Sequence, residues 1–326
     1  MPPRRRTRYR YRLRRLTPVG VAVLLAGFGG AWVGSHQTST PLASAAAPPR
    51  QGQVVHFAAK PVAVAAVAPE RLLTGGSLLH HTFAPKVLAS AAVLVDGKTG
   101  RVLWARNAHE RRQVASTTKI MTALLALRTL QPHDIVTVDK SVPRVPLVRE
   151  GLRAGERVQA WKLFYSLLLF SGNDDALALA IAVGGDKWTF IRSMNAEAKK
   201  LGLHDTHYST PSGVKDADNY SSAWDLAALT RVAMRNSRFR HIVQTRAEHV
   251  KWSAPTFAKI YLNNNRLLGT YVGADGVKTG YTHKSGPCLV ASATRSGVSL
   301  IAVVLNSPNM YDDTKRLLDF GFASIS

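Results

Sequence analysis

The chain has 326 residues, of which 46% are hydrophobic and 19% are charged, so its composition is that of a globular protein and not of a disordered one. Its 43 lysines and arginines outnumber its 20 acidic residues and give a formal net charge of +23. This charge favours anionic neighbours such as an acidic polymer or lipid surface, although a solvated basic surface also accounts for it. The sequence has no zinc finger and no RNA-binding signature, which argues against a nucleic-acid partner.

The N-terminal part of the chain resembles an export signal. Residues 1–34 form an arginine-rich leader in which an uncharged, mostly apolar stretch, 16–34, follows the basic segment. The stretch is about long enough to span a bilayer, and the arginines would then stay on the cytoplasmic side. The small-x-small triplet at 43–45 suits a signal peptidase, so cleavage and retention as an anchor are both open. Residues 35–85, rich in Ala and Pro, are predicted to form a spacer.

Strands are predicted near the start of the following region. Two apolar runs, 90–96 and 101–105, flank the Gly-containing turn Asp96–Gly100, a pattern typical of a β-hairpin. Residues 116–129 then carry apolar side chains at helical spacing, opened by Ser116.

Helices are predicted in the middle of the chain and strands again near its end. The segment 159–184 is helical but interrupted at Ser171–Asp175. Further helices are predicted at Met194–Leu201, Ala223–Arg235 and Asp313–Phe320, and further strands at Leu289–Thr294 and Leu300–Leu305. Strands followed by helices and then strands indicate an α+β fold, with an antiparallel sheet built from both chain ends and covered by a block of helices. We expect residues 86–326 to form this domain.

Ser116 and Lys119 are the first candidate chemical pair. A serine hydroxyl is a poor nucleophile without a neighbouring base. Positions i and i+3 of a helix share a face, so Lys119 would lie one turn beyond Ser116. Lysine can act as a base only if burial or a second cation lowers its pKa. The motif is weak by itself, since serine at a helix start is usually only an N-cap.

Two further triplets carry suitable chemistry. Ser171-Gly172-Asn173 interrupts an apolar helical region, where polar groups must find partners; a simple turn between helices is the alternative. Lys278-Thr279-Gly280 offers a cation, a hydroxyl and a residue without a side chain, against which a substrate backbone can lie. The second copy of this triplet, Lys98-Thr99-Gly100, falls in the predicted hairpin turn, so the triplet alone has little weight.

The three motifs together, in this order and in these contexts, are the signature set of the penicillin-recognising serine enzymes. The passages 91–127, 167–180, 208–213 and 275–305 closely resemble the low-molecular-mass D-alanyl-D-alanine carboxypeptidases. The resemblance covers about residues 86–324. It implies a β-lactamase/DD-peptidase-like fold.

The resemblance also implies roles for individual residues. Ser116 would attack the carbonyl between two terminal D-alanines of a peptidoglycan stem peptide, and Lys119 would accept its proton. Ser171 and Lys278 would pass a proton to the leaving D-alanine. The implied substrate-binding residues are Asn173, Thr279, Gly280 and Tyr281. The backbone N–H groups of Ser116 and Tyr281 would form the oxyanion hole.

The resemblance implies neither a metal nor an organic cofactor. It implies peptidoglycan stem peptides as substrates, β-lactam antibiotics as inhibitors and a location outside the membrane, with an anionic wall polymer or the membrane surface as a further possible contact. Some relatives place an arginine after the last core strand to bind the substrate carboxylate. Residues 307–313 contain none, so Thr279 and Lys278 would take that role.

Alternatives remain at this point. A class A β-lactamase would carry Ser-Asp-Asn in place of Ser171-Gly172-Asn173 and would need a glutamate to activate water. A non-catalytic wall-binding protein could keep the same fold and motifs. Carboxypeptidase, endopeptidase and transpeptidase activities share the motifs and are not separated by the sequence. The single cysteine, Cys288, lies in an apolar run and is expected to be buried and inert.

Overall fold

The computed structural model describes residues 70, 72–73, 84–214, 218–252 and 257–325. The predicted leader, 1–34, lies outside these residues, as does most of the predicted spacer, 35–85. The α+β fold is confirmed, with a five-stranded sheet in the order β2-β1-β11-β10-β9. Its strands are β1 (Ala91–Asp96), β2 (Val102–Arg106), β9 (Ala274–Thr282), β10 (Gly286–Arg295) and β11 (Val298–Leu305).

Helices lie between the two groups of strands, as expected. They are α1 (Lys119–Thr129), α2 (Ala160–Tyr165), α3 (Asn173–Gly184), α4 (Lys187–Leu201), α5 (Ala223–Arg235) and α6 (Ser237–Gln244), with α7 (Met310–Ile325) following the sheet. Three short antiparallel pairs accompany them: β3 (Arg112–Gln113) with β6 (Tyr220–Ser221), β4 (Ile135–Thr137) with β5 (Arg157–Gln159), and β7 (Ala247–Val250) with β8 (Lys259–Leu262). In the described part of the chain no helix is both long and apolar enough to cross a membrane.

The sheet joins the two ends of the domain, because β1 pairs antiparallel with β11. Alternate side chains along its strands enter two different cores. Val93 and Val303 face the helices α1 to α6, whereas Leu94 and Val304 belong to the cluster that contains residues of α7. Both faces are therefore covered, which explains why these strands are continuous apolar runs. The predicted hairpin of β1 and β2 is also confirmed.

Several helix boundaries differ from the prediction because capping and packing set them. Helix α4 begins at Lys187, ahead of the predicted 194, because the Asp186 carboxylate accepts hydrogen bonds from Trp188 N and Thr189 N. The helix α6, capped by Asn236, was not predicted. The predicted interruption at 171–175 is shorter, since only Ser171 and Gly172 separate α3 from the preceding π turn, Ser166–Phe170.

Part of the predicted spacer contacts the domain. Leu72 is buried, and Leu73 forms a parallel bridge with Arg101 at the start of β2. The Glu70 carboxylate forms ion pairs with Arg231 and Arg235 of α5. The side chains of Glu70 and Arg231 are each 6% exposed, so this pair is held largely out of water.

Candidate active site

Lys119 is the centre of the site. Its Nζ lies 2.8 Å from Ser116 Oγ, 2.8 Å from Asn173 Oδ1 and 3.2 Å from the carbonyl oxygen of Ser212. Ser116 lies in a 3₁₀ turn, Ala115–Thr118, that leads directly into α1, and not within the α-helix itself. The predicted pairing of Ser116 with Lys119 on one face is therefore present, with Ser116 half-buried and Lys119 fully buried.

The surroundings of Lys119 favour its neutral form. Burial lowers the pKa of its ammonium well below the ordinary value, and the positive charge of Lys278 lowers this pKa further. The carboxyl groups of Asp175 and Asp174 act in the opposite direction but are outweighed. A lysine whose pKa is lowered is more often neutral, and a neutral lysine can accept a proton.

A turn with a left-handed residue places the Ser171–Asn173 motif beside Lys119. Ser171 has a left-handed backbone with φ of 77°, and its N–H donates to Ser166 O at 2.8 Å. Asn173 then begins α3, and its Nδ2 donates to Pro146 O at 3.0 Å, which leaves Oδ1 directed to Lys119. The structure brings Asn173 into direct contact with the lysine, whereas no hydrogen bond from a described residue reaches Ser171 Oγ.

Lys278, Thr279 and Gly280 lie on β9, the outer strand of the sheet. Lys278 is buried, its Nζ donates to Thr279 O at 3.0 Å, and burial lowers its pKa to about 7. Gly280 lies against the Ser116 turn. A Cβ added there would stand 2.9 Å from Val114 O and 3.0 Å from Ser116 N. The absence of a side chain therefore lets β9 approach the nucleophile.

The remaining predicted binding residues lie along the same strand. Thr279 is half-buried, and the side chain of Tyr281 is 62% exposed. The close approach of Gly280 to Ser116 N puts the backbone of β9 beside the backbone of the nucleophile. An oxyanion hole requires two converging backbone N–H donors, and the two predicted donors, Ser116 and Tyr281, belong to these neighbouring segments.

The structure adds residues that the sequence reasoning missed. The loop before β6 supplies the Ser212 carbonyl to Lys119, and Thr122 Oγ1 of α1 donates to Pro211 O at 2.6 Å. Gly213, with φ of 77°, lies so close to the Ser116 turn that a Cβ would stand 2.0 Å from Ala115 O. The sequence points to the passage 208–213 only through the family resemblance. A backbone carbonyl gives no residue-type signal by which it could be found.

Cys288 is buried as expected, and burial raises the pKa of its thiol to about 11, which disfavours the reactive thiolate. Within the described ranges, no group of three or more His, Cys, Asp or Glu side chains has an arrangement that could hold a metal ion.

A serine paired with a buried lysine, beside a Lys-Thr-Gly strand on this fold, defines a penicillin-recognising type of serine enzyme. The chain belongs to the peptidase S11 family, described as D-alanyl-D-alanine carboxypeptidase, whose model matches residues 80–309. It is 34% identical over 244 residues to the D-alanyl-D-alanine carboxypeptidase DacF of Bacillus subtilis, a match that covers 72% of this chain and 62% of that protein. It is 36% identical over 258 residues to the D-alanyl-D-alanine carboxypeptidase of Streptomyces sp. strain K15, covering 73% of this chain and 89% of the relative.

Solved structures agree with these relatives. The crystal structure of the Streptomyces K15 DD-transpeptidase superimposes with a TM-score of 0.70 and 35% identity, covering 74% of this chain and 99% of that one. The chain spans less than two thirds of the length of several relatives, including DacF and the DacD protein of Salmonella typhimurium.

Proposed function

We propose that this chain is a serine-type D-Ala-D-Ala carboxypeptidase that removes the terminal D-alanine from peptidoglycan stem peptides through an acyl-enzyme on Ser116. The observation that carries this proposal is the position of Lys119 Nζ, 2.8 Å from Ser116 Oγ and fully buried. Membership of the S11 family supports the choice of substrate.

The hydrogen bonds of Lys119 direct its lone pair at the nucleophile. A neutral amine has two N–H groups and one lone pair. Asn173 Oδ1 and Ser212 O are acceptors only, so they take the two hydrogens. The lone pair then faces Ser116, whose O–H donates to it. As Ser116 Oγ bonds to the substrate carbonyl carbon, its proton passes to Lys119 Nζ.

Breakdown of the tetrahedral intermediate follows. The backbone N–H groups of Ser116 and Tyr281 stabilise the negative oxygen. Ser171 and Lys278 then pass the proton held by Lys119 to the departing amine of D-alanine as the C–N bond breaks, which leaves Lys119 neutral again. Thr279 and Lys278 bind the terminal carboxylate of the substrate. Water then hydrolyses the ester, which releases the shortened peptide and restores the Ser116 hydroxyl.

The partners follow from this chemistry. Peptidoglycan stem peptides are the substrates, and β-lactams acylate the same serine as inhibitors. The export-type leader supports action outside the membrane. The basic charge of the chain supports contact with an anionic wall polymer or the membrane surface.

The test is intact-mass analysis of the purified protein after mixing with a penicillin. The parent is expected to gain the mass of one penicillin and to lose it slowly. Ser116→Ala is expected to gain none. Ser193→Ala, a change at an exposed serine of α4, is the matched control and is expected to behave like the parent.

Other outcomes point to other functions. Rapid penicillin hydrolysis without a lasting adduct would indicate a β-lactamase, and neither adduct nor turnover would indicate a binding protein. Product analysis with a D-Ala-D-Ala-terminated peptide, with and without an added amine acceptor, separates carboxypeptidase from transpeptidase activity.

A further inference from the structure

Three carboxyl groups are buried directly behind the Ser171–Asn173 motif, and the mechanism above uses none of them. Glu150 is 3% exposed, and Asp174 and Asp175 are 0% exposed. Asp174 is fully accounted for, because its two oxygens accept from the backbone N–H groups of Glu150, Gly151 and Leu152 at 2.8 to 3.2 Å. Glu150 and Asp175 require another explanation, since a negative charge in a protein interior is costly unless it is paired.

One hydroxyl joins Glu150 to Asp175. Ser166 Oγ lies 2.5 Å from Asp175 Oδ2 and 3.2 Å from Glu150 Oε2. A serine has a single hydrogen to donate, so it can serve only one of these two carboxylates. If both carboxyl groups were ionised, one of them would face the hydroxyl oxygen without a hydrogen between them. The geometry therefore requires a further proton on one of the two acids.

The neighbours of Glu150 assign the charge to that residue. Glu150 Oε1 forms an ion pair with Lys259 Nζ of β8. Tyr261 OH accepts from Trp252 Nε1 at 2.9 Å, so its own hydrogen is available to Glu150. Asp175 has no ion-pair partner among the described residues. Its Oδ1 and Glu150 Oε1 are both buried without a hydrogen-bond partner there, so the cation Lys259 is what distinguishes the two acids. The extra proton consequently belongs to Asp175.

The groups that surround Asp175 together favour its neutral form. Burial, the adjacent Asp174 of α3 and Glu150 in the loop before β5 all raise the pKa of Asp175 well above its ordinary value. The hydroxyl of Ser166 in the π turn and the ammonium of Lys119 in α1 oppose this shift and are weaker. On β8, Lys259 pairs with Glu150 and Tyr261 lies beside it.

The carboxyl group of Asp175 also fills the space beneath the turn that carries the motif. A Cβ added to Gly172 would stand 1.8 Å from Asp175 Oδ2. The N–H groups of Ser171 and Gly172 both point to Ser166 O, at 2.8 and 3.4 Å. Ser166 thus contacts the acid through its hydroxyl and the turn through its carbonyl.

We propose that Asp175 is a positioning residue of the active site: as a neutral carboxylic acid it donates to Ser166 Oγ, which donates to the Glu150 carboxylate, and this chain holds Ser171 and Asn173 in register with Lys119. The inference rests on the proposed function only in that acylation of Ser116 is its readout. Ionisation of Asp175 breaks the chain and brings a second negative charge towards Lys119, which favours the protonated and inactive form of that lysine.

Asp175→Asn is the informative variant, because an amide has nearly the same shape and can donate to Ser166 without a titrating proton. We expect its acylation rate with penicillin to stay within about threefold of the parent, whereas Asp175→Ala and Ser166→Ala lose about tenfold or more, since small displacements of catalytic groups are costly. The loss is expected in the acylation step and not in the initial binding of penicillin. Asp225→Asn is the matched control, since Asp225 is another buried carboxyl group with a raised pKa, on α5, and it should leave acylation unchanged.

A second measurement separates the neutral acid from a merely structural side chain. A buried acid with a raised pKa takes up a proton on folding. The free energy of unfolding should therefore fall as pH rises from about 4, where an unfolded aspartate titrates, towards the raised value. Asp175→Asn should show a smaller fall over this range than the parent.

The outcomes are distinct. A folded Asp175→Asn that loses acylation as strongly as Asp175→Ala would mean that a carboxylate is needed and would overturn the proposal. Full acylation by Asp175→Ala would overturn the positioning role, and if that variant does not fold, Ser166→Ala supplies the same test. Failure of the parent itself to form an adduct would refute the proposed function instead, and the pH dependence of unfolding would still decide whether Asp175 is neutral.

Discussion

The same three residues, Lys-Thr-Gly, occur twice in this chain in very different surroundings. At 98–100 they lie in the turn between β1 and β2, where Lys98 and Thr99 are exposed and Gly100 is buried. Asp96 Oδ1 accepts from Lys98 N and Thr99 N, both at 2.8 Å. At 278–280 they lie within β9, with Lys278 buried and Gly280 against the Ser116 turn. The first copy ends a local turn, whereas the second meets residues more than 150 positions earlier in the chain.

The difference shows that chemistry comes from burial and neighbours and not from the triplet. Lys98 is exposed to water. Lys278 is buried away from water, and this burial lowers the pKa of its ammonium to about 7. Even the two glycines serve different needs: Gly100 adopts φ of 80° beside the Arg231 guanidinium, and Gly280 makes room for a neighbouring backbone.

The largest expected difference between the copies is in the lysines. Lys278→Ala should lower the acylation rate by about a thousandfold, because it removes the group assigned to proton transfer and carboxylate binding. Lys98→Ala should leave the rate within about twofold, since surface changes away from special features have small effects. Stopped-flow acylation with a chromogenic penicillin measures both. Equal losses of acylation rate in the two variants would show that the two lysines do not differ in function.

The glycines should separate activity from stability. Gly280→Ala pushes a methyl group against Val114 O and Ser116 N, and we expect acylation to fall by ten- to a hundredfold. Gly100→Ala places a side chain at positive φ, which should lower the free energy of unfolding by about 1 to 2 kcal/mol. The folded fraction of Gly100→Ala should acylate normally. Chemical denaturation and adduct formation, measured on the same samples, would reveal a reversed pattern.

The burial of Lys278 predicts a pH dependence of stability. Its pKa is about 7 in the folded protein, against about 10.4 for an unfolded lysine, so between these values the unfolded chain binds more protons. The free energy of unfolding from this residue therefore rises with pH across that window, by up to about 1.4 kcal/mol per pH unit. Urea denaturation of Lys278→Met at pH 7 to 10 should show a smaller rise than the parent. An unchanged slope would mean that Lys278 stays charged in the fold.

The smallest difference is expected at the threonines. Thr279→Val removes a hydroxyl assigned to the substrate carboxylate and should weaken productive binding by about tenfold, as for a hydrogen bond to a charged group. Thr99→Val removes only an exposed acceptor for Arg101 N at 3.1 Å. It should change stability by less than about 0.5 kcal/mol. The concentration dependence of acylation measures the first effect, and a peptide without a terminal carboxylate should not distinguish Thr279→Val from the parent.

Much of the fold could be predicted because its signals are local. The apolar runs at 90–96 and 300–305 predict β1 and β11, and the helical spacing after Ser116 predicts α1. The order of strands, helices and strands predicts a sheet built from both ends of the domain. The start of α4 was missed because it depends on a cap at Asp186, and α6 was missed because it is only one short helix of arginines and a few apolar residues.

The site was predictable only where a side chain carries the chemistry. Ser116, Lys119, Asn173 and Lys278 could be named as candidates from their residue types and order. The contact of the Ser212 carbonyl with Lys119 could not be predicted, because every residue has a backbone carbonyl. The protonation of Asp175 could not either, because it depends on Glu150 and Ser166, which approach it only after the chain has folded.

The two edge strands of the sheet, β2 and β9, differ in what contacts their outer sides. At β2, Leu73 forms a parallel bridge with Arg101 at the start of the strand. Glu70, three residues earlier, forms an ion pair with Arg231 of α5. At β9, β10 is the only strand partner within the described ranges, and the other side turns towards Ser116. Unpaired strand edges invite self-association. A protein shortened to begin after residue 73 would therefore have two such edges, and we expect it to aggregate more readily at high concentration than the full chain.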